Sequence, residues 1–336
     1  MLKYGIIGFG GLGKLHFSNT EELCKVHSDI KLTAICDVDE NAFASQTSTN
    51  LGEDETKLDL SMYNLYTDAK EMFEKEELDF IITAVPTYLH DVIAIMAMEK
   101  GIHVFCEKPM ALSAERGQSM IDCAKKNNVK LMIGQCLRYM ARYEKLKEII
   151  DSGKYGKVLR ADFYRVSCTP TWGWENWFMD TQKSGGAVID LHVHDVDFIN
   201  YVFGMPKSVT SMTTNYKADY DSIVTMYGYD DMVVTSTGEW GCPPEYGFST
   251  GFFVKMEKAT VEIKNGKFIL CTEEGGNEQI ELSKESAYLR EVVDFVSCIK
   301  NDTVSKINPP ESSLIAIKIA LAEKESSDKR QTVLLK

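Results

Sequence analysis

Tyr4-Gly5-Ile6-Ile7-Gly8-Phe9-Gly10-Gly11-Leu12-Gly13-Lys14 is the stretch that decides the fold. The apolar run from Leu2 to Ile7 suits a buried first strand, and Gly8, Gly10 and Gly13 then occupy the three positions of a dinucleotide-binding fingerprint. The first glycine permits a tight turn, the second lets main chain approach a pyrophosphate, and the third lets helix and strand pack closely. Phe9, Gly11 and Leu12 belong to the same cofactor-facing turn. Lys14 to about His27 is expected to form the helix whose N-terminus faces the phosphates. A second apolar run, Ile30 to Cys36, ends at Asp37, close to the spacing at which a carboxylate binds a ribose 2′-hydroxyl. A carboxylate there repels a 2′-phosphate, and no arginine follows in the next dozen residues, so NAD is expected over NADP. The alternative is a βαβ turn that binds nothing.

Strand and helix patterns alternate outward from this motif. Leu78 to Val85 reads as a buried central strand, Tyr88 to Lys100 as a helix closed by Gly101, and His103 to Cys106 as another strand. Ser113 to Asn127 and Lys130 to Ile133 add a helix and a last strand, giving a doubly wound parallel sheet of α/β class. The pattern changes after Gly134. A helix over Arg138 to Ser152 and a strand over Lys157 to Ser167 precede a tryptophan-rich loop and a helix from about Gly186 to Phe203. Strands dominate from Ser208 to Ile280, with a hairpin at Asn265-Gly266, and helices near Ser286–Lys300 and Glu311–Glu325 close the chain. The expected organisation is a dinucleotide-binding domain over 1–133 and an α+β domain over 134–336, with a large, mostly antiparallel open sheet. The last helix is expected to pack back on the first domain.

Bulk properties narrow the function classes. The 336 residues suffice for two domains, and 44% hydrophobic with 26% charged residues is ordinary for a globular chain. A net charge of −13 argues against nucleic acid or an anionic membrane as partner. Nine cysteines without a C-x-x-C pair point to thiols in a reducing compartment. The N-terminus runs straight into the first strand, so no signal peptide is expected, and no apolar stretch approaches the roughly 20 residues of a membrane span. A cytoplasmic location is expected.

Two constellations carry chemistry. Lys108, in Glu107-Lys108-Pro109, follows a strand end, and ligands in open α/β sheets bind outside the carboxyl ends of strands. A lysine there can hydrogen-bond a substrate hydroxyl and stabilise the developing alkoxide; the alternative is a surface loop lysine. In Asp190-Leu191-His192-Val193-His194, a helix puts Asp190 and His194 on one face, an arrangement suited to acid–base work. A structural His–Asp cluster is the bland alternative, and a metal held by His192, His194, Asp195 and Asp197 is disfavoured because the two histidines lack i, i+4 spacing. No metal is expected. The Thr83-Ala84-Val85-Pro86 segment and His90 lie at the crevice, where Ala84 and Pro86 can meet the nicotinamide ribose. Trp172, Trp174 and Trp177, with Arg165 and Lys183 nearby, can line a pocket for a polyhydroxylated ring, or equally form core or subunit contacts.

Taken together, Gly8 to Gly13 with His16, Asp37, Pro86 with His90, Glu107-Lys108-Pro109, Gly134 with Arg138-Tyr139, and Asp190-x-x-x-His194 resemble the glucose–fructose oxidoreductase / inositol dehydrogenase (Gfo/Idh/MocA) family over nearly the whole chain. The resemblance implies an NAD-dependent oxidoreductase acting on a secondary alcohol of a sugar, cyclitol or related polyol. It implies that Lys108 orients and polarises the hydroxyl, His194 moves the proton and Asp190 supports the site. Glu107 and His90 are further expected at the cofactor and Arg138, with Trp172 and Trp174 of the loop read above, at the substrate, and the resemblance makes the open sheet a dimer or tetramer surface. Two other readings keep the cofactor: transient oxidation within a non-redox cleavage or elimination, and a nucleotide sensor without catalysis.

Overall fold

In the computed structural model, the residues described are 1–44, 47–49, 52–54 and 58–335, with backbone only for 47–49 and 52–54. They divide into two compact units. One comprises 1–135, 171–184 and 288–314; the other comprises 136–170, 185–287 and 315–336. The chain thus crosses between units at more points than the single boundary near residue 133 expected from sequence.

The first unit is built on six parallel strands in the order Asn64–Tyr66, Ile30–Cys36, Leu2–Ile7, Phe80–Thr83, His103–Glu107, Leu131–Gly134. The order reverses direction between Leu2–Ile7 and Phe80–Thr83, the switch point at which such sheets bind ligands. Phe80–Thr83 is buried throughout, as its unbroken apolar run requires. Asp68 caps the helix Ala69–Lys75 by accepting from Lys70 N (2.6 Å), and Ser113 caps Ala114–Lys126 by accepting from Arg116 N (3.3 Å). The helix expected over 14–27 is two helices, Gly11–Ser18 and Thr20–Val26. It starts early because the glycine loop supplies the first turn, with Lys14 N on Gly10 O at 3.0 Å. It breaks at Asn19, where the flanking Ser18 and Thr20 hydroxyls turn back onto Lys14 O and His16 O.

Helix Ala287–Lys300 is part of this core. Leu289, Val292, Phe295 and Val296 are buried with Tyr4, Phe80 and Phe105, and the Phe295 ring meets Phe80 and Phe105 edge-on at 5.9 and 5.8 Å. The penultimate helix is built into this core by its continuous apolar face, and the start of the last helix, Pro310–Lys329, also packs on this unit, with Glu311 paired to Lys125 at 2.9 Å and Leu314 beside Gly117.

The second unit is a nine-stranded sheet: Gly276–Ile280, Lys267–Thr272, Ala259–Lys264, Phe248–Met256, Val158–Cys168, Val233–Cys242, Ser222–Gly228, Ser208–Thr214, Val333–Leu334. Val158–Cys168 pairs parallel with Val233–Cys242, and the other pairs are antiparallel. The predicted hairpin is present, with Asn265 (φ 50°) and Gly266 (φ 73°) both left-handed between Lys264 and Lys267. Tyr143, Phe163, Phe198 and Phe252 make the aromatic centre of this core. The helix expected over 186–203 is also divided, into Gly186–Asp190 and Val193–Phe203. Ala187 O accepts from both Leu191 N (3.1 Å) and His192 N (2.8 Å), which widens the turn by one residue. Among the described residues no helix is long and apolar enough to cross a membrane.

Candidate functional site

In the glycine loop two positions exclude a side chain and a third leaves space open. Gly8 has φ +85°, and a Cβ there would lie 2.6 Å from the Ala84 carbonyl. At Gly13 a Cβ would stand 1.9 Å from Gly8 O, so the loop closes on itself. At Gly10 a Cβ would meet nothing within 4 Å. The protein leaves that last space open, at the start of helix Gly11–Ser18, whose first N–H groups carry partial positive charge. A pyrophosphate fits this cradle in both shape and sign. Gly11 and Leu12 open the helix, and Ala84 N bonds Ile7 O at 2.8 Å, which brings the Ala84–Pro86 turn beside the loop.

Asp37 completes this side of the site. Its Oδ2 accepts from Phe9 N at 2.5 Å and its Oδ1 from Asp39 N at 2.9 Å, so the carboxylate is oriented by the glycine loop itself. Burial raises its pKa, against these two backbone donors. Lys14, which sequence reasoning passed over, is buried with its ammonium 5.7 Å from the centre of the Phe9 ring, and burial lowers its pKa against the charge of Asp37. The residues present therefore fit an adenine dinucleotide.

Lys108 is half-buried at the carboxyl end of His103–Glu107, and its backbone is held on both sides. Lys108 N donates to Glu107 Oε2 at 3.2 Å, and Pro109 O lies 2.6 Å from His90 Nδ1. The other His90 nitrogen is 2.9 Å from Val85 O, and the buried ring is pushed toward its neutral form by desolvation. His90 thus lies between two loops, its ring nitrogens facing Pro109 O and Val85 O, to one of which the neutral ring can donate. Glu107 likewise faces protein groups. Its buried carboxylate faces His16 Nε2 at 2.7 Å and the Lys108 N–H, and a Cβ at Gly134 would stand 3.1 Å from Oε2.

Trp172, Trp174 and Trp177 lie on segment 171–184, which belongs to this same unit. Glu175 and Asn176 bend the loop with φ of 49° and 55°. Trp174 is 40% exposed, Trp172 meets Phe178 edge-on at 5.9 Å, and Trp177 stacks on Phe178 at 3.9 Å. Lys183 lies 5.6 Å from the Tyr88 ring.

In the second unit, Asp190 ends one short helix and His194 is the second residue of the next. The continuous-helix argument for their pairing does not hold, since the widened turn at Leu191-His192 intervenes. Asp190 is buried, while His194 is partly exposed with Nδ1 4.0 Å from Cys136 Sγ. His192 is fully buried among Ser236 Oγ (3.1 Å), Tyr227 OH (3.4 Å) and Glu323 (3.5 Å). Arg138 takes a different place from that expected. It is 2% exposed, with Nε and Nη2 bonded to Asp197 at 2.8 and 2.6 Å and its guanidinium over Tyr201 at 4.6 Å. Arg165 is likewise paired with Asp195, at 2.9 and 3.3 Å. Both forks are engaged by buried carboxylates, which makes them anchors of helix Val193–Phe203 rather than substrate ligands. The same pairs engage Asp195 and Asp197, two of the four residues weighed above as metal ligands.

Comparison with known proteins identifies the family and the fold. Residues 2–135 match the oxidoreductase family with NAD-binding Rossmann fold (GFO_IDH_MocA), and residues 143–262 match the GFO/IDH/MocA C-terminal domain. The myo-inositol 2-dehydrogenase of Thermotoga maritima is 26% identical over 99% of this chain and 98% of that protein. The 2,7-anhydro-N-acetylneuraminate hydratase of Mediterraneibacter gnavus is 33% identical over 43% of this chain and 38% of that protein. Several curated relatives are matched over about half or less of their length. A levoglucosan dehydrogenase solved with NADH and levoglucosan shares the fold, with a TM-score of 0.84, 18% identity and 99% coverage of both chains. The chain belongs to the Gfo/Idh/MocA family of NAD-binding oxidoreductases.

Proposed function

We propose that this Gfo/Idh/MocA-family member is an NAD-dependent dehydrogenase acting on a secondary alcohol of a sugar, cyclitol or related polyol. The placement of Lys108 carries this reading: an amine at a strand's carboxyl end, its backbone fixed on both sides, in the unit that holds the glycine loop. NAD, when bound, supplies the hydride acceptor. Gly8 to Gly13 hold its pyrophosphate, Asp37 selects a free 2′-hydroxyl, and Ala84 and Pro86 border the nicotinamide ribose. Lys108 hydrogen-bonds the substrate hydroxyl and stabilises charge on its oxygen. His194 accepts the hydroxyl proton, with Asp190 supporting it. Trp174 and Trp172 offer apolar ring faces to the C–H surface of a sugar. The similarity to a dehydrogenase matched end to end supports the substrate class.

We further place the protein in the cytoplasm as a homodimer or homotetramer, with no nucleic-acid or membrane partner. Nine free cysteines fit a reducing compartment. Met212, Val224, Met226 and Val233 are each at least half exposed on neighbouring strands of the second unit's sheet, an apolar face suited to a second copy.

Turnover is tested by following NADH formation with NAD and a panel of inositols, sugars and sugar acids, with Lys108→Ala as control. Activity that disappears in the variant while NAD affinity stays within a few-fold supports the assignment; activity retained in Lys108→Ala removes it. The similarity to a protein named as a hydratase favours one second reading, transient oxidation inside a non-redox reaction. That version consumes substrate with no net NADH and retains its cofactor through purification.

A further inference from the structure

Glu291, on helix Ala287–Lys300, is the buried ionisable group that the chemistry above does not use. It is 0% exposed, and neither carboxyl oxygen has a hydrogen-bond partner. It is clustered with His16 and Glu107 so that one ligand atom from each lies within 4.8 Å of the others. The His16 ring also meets Phe105 edge-on at 5.6 Å and Tyr288 at 6.3 Å, so the surroundings are apolar and aromatic. Two ionised carboxylates cannot both stay in such a place with a single imidazole between them.

A cation is one way to resolve this cluster, and the geometry is against it. His16 Nε2 and Glu107 Oε1 are 2.7 Å apart. Two ligands held about 2.1 Å from one tetrahedral ion stay roughly 3.4 Å apart. The His16–Glu107 contact is a hydrogen bond, and Glu107 already has a second donor in Lys108 N. Glu107 is therefore the member that carries the negative charge.

We propose that Glu291 is held as a neutral carboxylic acid, which leaves the one negative charge of the cluster on Glu107 and so makes Glu291 a positioning residue for Lys108. Ionised, Glu291 would repel Glu107 from the two donors, His16 and Lys108 N, that fix the segment leading into Lys108. Burial, and next the charge of Glu107, push the Glu291 pKa upward, in the direction the geometry requires. The inference concerns the same site as the dehydrogenase reading, but its test needs no substrate.

The sign of the effect follows from linkage. The unfolded chain releases the Glu291 proton above pH 4.5, whereas the folded chain keeps it, so folding stability falls as pH rises from there to the raised folded value. Glu291→Gln mimics the neutral acid and has no proton to lose. Chemical unfolding of the full chain across pH 5 to 8 should show the wild-type unfolding constant rising against E291Q by up to about tenfold per pH unit. An infrared band of a protonated carboxyl, present in wild type at neutral pH and missing in E291Q, provides a second reading. In a Glu107→Gln background the pH-dependent effect of Glu291→Gln should shrink, since one cause of the upward push is gone. A wild-type-to-E291Q difference flat with pH would overturn the proposal, as would a stoichiometric metal ion found in purified wild type and lost in E291Q. If E291Q does not fold, the infrared band measured in wild type and E107Q decides: its absence in both overturns the proposal.

Discussion

The glycine loop with Lys108 and the helix pair with His194 are the two regions that sequence marks as functional, and they are built differently. The first is defined by backbone. Gly8 and Gly13 are required by contacts of 2.6 and 1.9 Å that a Cβ would make with main chain a few residues to one strand away. The second is defined by side-chain pairing over distance: Arg138 finds Asp197, and Arg165 finds Asp195. Backbone requirements leave a local signature in glycine and proline positions. Paired charges look the same in sequence whether they meet each other or a ligand.

Variants can sharpen this contrast. The largest effect is expected from Arg138→Ala, which leaves Asp197 buried and unpaired, for a loss of about 3–5 kcal/mol in chemical unfolding. Replacing both partners by apolar residues should restore most of it. If Arg138→Ala instead kept its stability and only raised the substrate KM, the anchor assignment would be wrong. Gly13→Ala comes next. Its Cβ clashes with Gly8 O, so a cost of about 1–3 kcal/mol in stability is expected, seen as a lower melting temperature. Gly10→Ala separates binding from folding, because its Cβ meets no protein atom. Its melting temperature should be unchanged while NAD affinity, measured by titration, drops about tenfold, or about 1.4 kcal/mol. A fall in melting temperature without loss of NAD affinity would break the comparison. Asp37→Ala is the mildest: the preference for NAD over NADP should narrow by less than about tenfold when the two affinities are compared.

Sequence made the parallel sheet, its glycine loop and the Asn265-Gly266 hairpin legible because each is encoded in neighbouring residues. The division at Leu191-His192 was not legible, since an extra residue in a helical turn depends on how Ala187 O is shared. The same holds at Asn19, where Ser18 and Thr20 hydroxyls compete for carbonyls. The partners of His90 and Glu107 were hidden for a different reason. Their nearest partners are protein atoms brought together from separate segments: Pro109 O, Val85 O, His16 and Lys108 N. Glu291 had no local signal at all. It is one glutamate in an amphipathic helix, and only the return of residues 288–314 to the first unit brings it to His16 and Glu107.

That return also makes the cofactor half indivisible as a gene fragment. A polypeptide stopped at residue 135 would hold the three fingerprint glycines and Lys108, yet lack Leu289, Val292, Phe295 and Val296 from its core. Its sheet would present bare apolar surface where Phe295 now meets Phe80 and Phe105. Moving this dinucleotide-binding half onto another partner therefore requires carrying a distant piece of the chain, residues 288–314, along with it.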